Sequence, residues 1–128
     1  MTSTTRSPTQ HLLRVLRAAS FRASDEADLQ RAMAKLLDES GISYQREKII
    51  GMDKASRIDF WLPDPRGGIG LELKVGQPAK NIYRQLLRYA DHGCISELVL
   101  ASTSHTALRL PTEALGKPLH SIQLRAWC

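Results

Sequence analysis

Two stretches in the middle of the chain, Arg57 to Leu62 and Ile69 to Val75, alternate apolar and polar residues, and the segment Pro63-Asp64-Pro65-Arg66-Gly67-Gly68 between them is rich in turn formers. Successive side chains of a strand point to opposite faces, so the pattern predicts an antiparallel hairpin. It also restricts the register, because a slip of one residue would exchange the buried and the polar faces. With the turn centred between Pro65 and Arg66, Asp59 stands opposite Glu72. Ile58, Phe60 and Leu62 on one strand and Leu71, Leu73 and Val75 on the other are then expected in the core, with Asp59, Gly70, Glu72 and Lys74 on the polar face.

Around the hairpin the apolar periodicity changes to that of helices. Leu12, Leu13, Val15 and Leu16 fit a short amphipathic helix over Gln10 to Ala19, preceded by a polar arm, Met1 to Thr9. A second helix is expected to open at Ser24 as N-cap, to bury Leu29, Met33, Leu36 and Leu37, and to end at Gly41. Ile42 to Ile50 reads as a strand, Ala79 to His92 as a helix, Glu97 to Ser102 as a strand, and Leu119 to Trp127 as a weaker last strand. The resulting α-βββ-α-β order predicts an α/β fold, a mixed sheet of four to five strands flanked by helices. Residues 1–22 read as a basic arm with a short helix and 23–128 as the main domain.

The 128 residues suffice for one compact domain, and no apolar run is long enough for a membrane span, so a cytoplasmic protein is expected. Two cysteines, Cys94 and Cys128, are too few for a disulfide scaffold, and Cys94 reads as a small core residue. A net charge of +5 favours a polyanionic partner. Arg6, Arg14, Arg17 and Arg22 lie in an acid-free N-terminal stretch, and Lys80, Arg84 and Arg88 recur every four residues along one helix face.

Glu-x-Lys alone is commonplace on a solvated strand. Here Glu72 and Lys74 interrupt an apolar strand, face Asp59 across the hairpin, and precede a basic helix. Two carboxylates about 5 Å apart repel each other unless a cation lies between them. Gly68 and Gly70 are expected to leave room for a ligand to approach.

The residues Ile58-Asp59-Phe60, Leu71-Glu72-Leu73-Lys74 and Gln85-Leu86-Leu87-Arg88-Tyr89 together resemble the PD-(D/E)xK nuclease superfamily, in particular its branch related to RecB and the Holliday-junction resolvases. The resemblance runs from about Ser24 to Ser102 and implies a restriction-endonuclease-like core and a metal-dependent deoxyribonuclease. It implies Mg²⁺ (or Mn²⁺) held by Asp59, Glu72, the carbonyl of Leu73 and a helix glutamate. Glu26 matches that glutamate best, with Asp25 and Glu39 as alternatives. Lys74 is implied as the catalytic amine, and Gln85 and Tyr89 as residues close to the active site, with Tyr89 open between a packing role and a nucleic-acid contact; Lys80, Arg84 and Arg88 of the basic helix are candidate phosphate contacts. Ile58 replaces the proline that gives the family its name, whereas the true Pro63-Asp64 pair sits in the turn, where Asp64 is explained by turn chemistry. DNA is the expected partner, with RNA, a homodimer and a larger complex left open. The competing reading is a non-catalytic nucleic-acid-binding or assembly module of the same fold.

Overall fold

The computed structural model describes residues 7–51, 56–105 and 109–127; Arg6 and Cys128 lie outside them. In chain order the elements are α1 (Pro8–Ala18), β1 (Ser20–Arg22), α2 (Glu26–Glu39), β2 (Gln45–Ile49), β3 (Arg57–Asp64), β4 (Gly67–Lys74), α3 (Ala79–Ala90), β5 (Glu97–Ser102), β6 (Glu113–Ala114), β7 (Lys117–Gln123) and β8 (Arg125–Trp127). The fold is α/β.

Six strands form a mixed sheet in the order β2-β3-β4-β5-β7-β6, and β1 and β8 form a separate parallel pair. The sheet is antiparallel from β2 to β4 and parallel from β4 through β5 to β7. It is therefore larger than the four to five strands expected. The expected last strand is divided: β7 joins the sheet, while beyond Leu124 the chain continues as β8 and pairs with β1.

Both faces of the sheet are covered, as parallel strands require. On one face Phe60, Leu62, Ile69, Leu71, Leu73, Val99 and Ala101 pack under α1 and α2, which contribute Leu12, Leu16, Leu29, Met33 and Leu37. On the other, Ile58, Leu98 and Leu100 meet Ile82, Leu86 and Tyr89 of α3. Burying a Leu or Met side chain of this kind is worth roughly 1.5–3 kcal/mol. Residues from α1 thus share the core of the rest of the chain.

Three local readings are corrected. The polar start is no loose arm from Ser7 onward: Ser7 caps α1, Pro8 occupies its first turn, and Thr9 is buried with its hydroxyl donating to Glu97. The N-cap of α2 is Asp25, which accepts the Asp28 N–H at 2.8 Å, and the Ser24 hydroxyl donates to the Asp28 carboxylate instead. A carboxylate caps as well as a hydroxyl and gains from the helix dipole. Finally, the hairpin turn contracts to Pro65-Arg66, since Asp64 already pairs with Gly67, and Val75 lies beyond the strand and is exposed. The centre of the turn, and hence the register, is unaffected.

Candidate active site

The β3–β4 ladder runs from Asp64↔Gly67 to Phe60↔Leu71. Continued by one residue, it sets Asp59 opposite Glu72, and there side chains replace the backbone rungs. Glu72 Oε1 accepts the Asp59 N–H at 3.1 Å, and Asp59 Oδ2 accepts the Leu73 N–H at 2.8 Å. Each carboxylate thus satisfies the backbone of the other strand at the point where the two separate.

Here the alternation breaks. Ile58 and Phe60 were expected on one face, yet Ile58 packs under α3 and Phe60 under α2. The carboxylate of Asp59 is held between the strands and also accepts from Gln30 Nε2 of α2 at 3.2 Å. On the neighbouring strand, pairs Arg46↔Phe60 and Lys48↔Ile58 flank Glu47, which sits opposite Asp59 with φ +49°. A non-glycine residue in this left-handed region costs about 1–2 kcal/mol. The distortion of both strands coincides with the acid pair.

Glu72 is 2 % exposed and Lys74 7 %. Lys74 Nζ lies 3.3 Å from Glu72 Oε2, so the amine and the carboxylate share one side of β4 as expected, but under α3 rather than in open solvent. Tyr89 closes the back of this space. It is fully buried, its hydroxyl donates to the Arg57 carbonyl at 2.8 Å, accepts from Gln85 Nε2 at 2.8 Å, and lies 3.4 Å from Glu72 Oε2. Tyr89 was open to a nucleic-acid contact; burial prevents that, and Gln85 is engaged in holding it. Lys80, Arg84 and Arg88 are exposed along the outer face of α3.

Burial pushes the Asp59 carboxyl up to about 6; the Leu73 N–H and Lys74 oppose the shift, and the charges of Glu26 and Glu47 reinforce it. Burial and then the charge on Asp59 push Glu72 up to about 8, against the pull of Lys74. Burial, with the charges of Glu72 and Asp59 behind it, also raises the Tyr89 phenol. Since the single Tyr89 proton lies on the Arg57 carbonyl, the nearby Glu72 Oε2 meets a phenol lone pair, an arrangement that favours a protonated Glu72.

Glu26, at the start of α2, acts on Asp59 through its charge, without a direct contact. Asp64 is not part of this group: it accepts from Arg66 N and Nε at the far end of the hairpin, the turn role expected of it. Gly68 and Gly70 do not make room for a ligand. A Cβ there would meet Trp61 Nε1 at 2.0 Å and Ile58 Cδ1 at 2.2 Å, so they accommodate the chain's own side chains. Sequence reasoning missed Glu47 and Gln30. Glu47 could have been found from the β2–β3 register had the connection between these strands carried a turn signal as clear as that of the next hairpin.

Among the described residues, no three His, Cys, Asp or Glu side chains converge as a ready-made metal cage. Among them, too, no helix is long and apolar enough to cross a membrane. Compared with family models, curated proteins and solved structures, the chain matches none.

Proposed function

We propose that this chain hydrolyses phosphodiester bonds of DNA with Mg²⁺ or Mn²⁺, on a core of the restriction-endonuclease type. The observation that carries this reading is the group at the open end of the β3–β4 hairpin: a buried Glu72 and a half-buried Asp59 whose charge raises the Glu72 carboxyl, with one amine 3.3 Å from Glu72. Burial of like charges is costly and persists where the surroundings over-determine it, which is characteristic of functional centres.

The donor set fits a hard divalent cation. Mg²⁺ needs only one or two protein carboxylates, because it keeps several waters and takes the rest of its shell from substrate phosphate, so a preformed cage of three acids is unnecessary. Asp59 and Glu72 would be those carboxylates. The Leu73 N–H faces Asp59, and a strand residue's carbonyl leaves on the same edge as its N–H, which suits the Leu73 carbonyl as a further oxygen ligand. Glu26 and Glu47 would add negative charge around them. The cation, when bound, supplies charge neutralisation for a phosphate oxygen and lowers the pKa of water.

The chain's own groups do the rest. Lys74, braced by Glu72, orients the attacking water and offsets negative charge developing on the phosphate. Tyr89 and Gln85 keep the Arg57 backbone, and with it the strand of Asp59, in place. Lys80, Arg84 and Arg88 offer sequence-independent phosphate contacts.

The test is nicking of plasmid and cleavage of a panel of branched, single-stranded and linear DNAs, in Mg²⁺ and in EDTA. Cleavage should require the metal, and Lys74→Ala should lower its rate by about 10²–10³-fold without unfolding the chain. Binding without any cleavage of any form in Mg²⁺ or Mn²⁺ would leave a non-catalytic module.

A further inference from the structure

The β1/β8 pair lies outside the main sheet, and its outward face has an unusual composition. Its parallel register matches Ser20 with Arg125, Phe21 with Ala126 and Arg22 with Trp127. Phe21 points into the core, so alternation sends Ser20, Arg22, Arg125 and Trp127 to the opposite side. All four are exposed, Trp127 by 53 %, and no acid lies among them.

This ribbon ends at the start of α2, close along the chain to Glu26. The Trp127 carbonyl accepts the Ala23 N–H at 2.8 Å, and two residues after Ala23 the Asp25 cap leads into Glu26. Trp127 and Ala126 line a hollow of about 190 Å³ together with Ala23, Ser24, Val75 and Thr103. Val75 directly follows Lys74 and is itself exposed, so the hollow lies between an indole face and the strand that carries the amine. A neighbouring hollow is lined by Arg22, Ser24, Asp28 and Arg31, in which Asp28 is paired with Arg31 while Arg22 stands at the rim.

We propose that this hollow seats an unpaired nucleotide of the substrate strand, its base stacked on Trp127 and its phosphate met by Arg22. The assignment rests on the phosphodiesterase reading and gives it a substrate class: nucleic acid with a single-stranded segment, such as a frayed end or flap. An exposed aromatic beside Arg22 matches a π-face next to a phosphate, since the nearby Asp28 is already paired with Arg31 and the Arg125 guanidinium donates to the Arg17 carbonyl, whereas burial in an apolar protein partner would leave Arg22 without counter-charge. The hollow is of a size for one planar base and is too small for a duplex, which would instead lie along the arginines of α3.

The experiment measures binding of a labelled single-stranded oligothymidine and of a blunt duplex, in EDTA at low salt, by anisotropy and by tryptophan fluorescence. Trp61 is tied to the Cys94 carbonyl, so quenching by the oligonucleotide reports on Trp127. Trp127→Ala should weaken oligothymidine binding about tenfold and abolish the quenching, Trp127→Phe should restore most of the affinity, and duplex binding should change less than about twofold. Arg22→Gln should weaken oligothymidine binding and reduce its salt dependence by about one phosphate contact. Equal losses on both ligands, an unaffected Trp127→Ala variant, or no oligothymidine binding by the wild type would overturn the proposal. So would self-association lost in Trp127→Ala, which would assign the face to a second copy. The two readings fail separately. Metal-dependent cleavage in a Trp127→Ala variant with unchanged strand preference removes only this one, while Trp127-dependent binding without cleavage removes only the nuclease.

Discussion

A pair of acids sits at each end of the β3–β4 hairpin, Asp64 with Glu97 of β5 at the closed end and Asp59 with Glu72 at the open end, and the two pairs are built differently. At the closed end Glu97 accepts from Thr9 at 2.7 Å, Arg66 at 2.5 Å and His120 at 3.0 Å, while Asp64 accepts from Arg66 and Ser96. Burial works to raise the Glu97 carboxyl, but the bonds from His120, Thr9 and Arg66 outweigh it and hold it below the usual carboxylate range. At the open end Asp59 and Glu72 have one lysine between them and lie above that range. Glu97, met by three donors, is therefore ionised and structural, whereas Asp59 and Glu72, more strongly desolvated and sharing one lysine, hold their protons more tightly. What separates them is the balance of desolvation against donors: bonds to Glu97 outweigh its burial, whereas at Asp59 and Glu72 burial prevails over the Leu73 and Asp59 N–H groups and Lys74.

The largest effect that bears on this contrast is on stability, with opposite signs. Glu97→Gln removes the acceptor of three donors and should destabilise by about 2 kcal/mol, less than for a fully enclosed pair because Arg66 is 58 % exposed. Glu72→Gln can keep an acceptor for the Asp59 N–H, removes a carboxylate held above its usual range, leaves Lys74 the charge of Asp59, and should stabilise the metal-free chain at pH 8 by about 1 kcal/mol. Urea titrations of both variants check this, and a matching loss in both would erase the distinction between the ends.

A second prediction concerns pH. The folded-state values of Asp59 and Glu72 lie above their unfolded ones, so their contribution is greatest when protonated and is lost as pH rises from about 4 through about 6 and 8. Glu97 works the other way: its contribution is present above the ordinary carboxylate range and is lost as pH falls through its lowered value. Metal-free thermal stability should therefore decline from pH 5 to pH 8, and Glu72→Gln should flatten that decline. Added Mg²⁺ should raise the melting temperature more at pH 8 than at pH 5, because it competes with the protons. A metal effect independent of pH would locate the cation elsewhere.

The smallest effect is at Tyr89. Tyr89→Phe removes the donor to the Arg57 carbonyl and should cost about 1 kcal/mol of stability, with a larger loss in any Mg²⁺-dependent rate than in nucleic-acid affinity. Equal losses in rate and affinity would restore Tyr89 as a binding residue.

How much of this was legible in the sequence follows from which signals are local. Alternation and turn composition placed Asp59 against Glu72, and the Asp64 acceptor role in the turn followed from Pro-Asp-Pro chemistry. Glu97 to Ser102 was found because a buried strand is apolar almost throughout. The break in alternation at Asp59 was not legible, since it depends on Glu47 in a separate strand and on Gln30 in α2. Tyr89 stayed open between packing and nucleic-acid contact for a related reason: its hydroxyl has buried partners that are distant in sequence, and spacing along one helix cannot show them. The start of α1 hides in a polar stretch, because a serine followed by a proline suits both a loose tail and the first turn of a helix.

The contrast between the two ends of the hairpin extends to the order in which the chain can assemble them. Asp59, Glu72 and Lys74 belong to one short contiguous stretch and become neighbours as soon as the Pro65-Arg66 turn forms, at little loop-closure entropy and on the microsecond scale of hairpins. The clamp on Glu97 ties Thr9 to His120 and can close only after nearly the whole polypeptide has wound into place. The hairpin part of the acidic centre thus rests on local contacts, whereas the clamp rests on contacts between the first and last parts of the described chain.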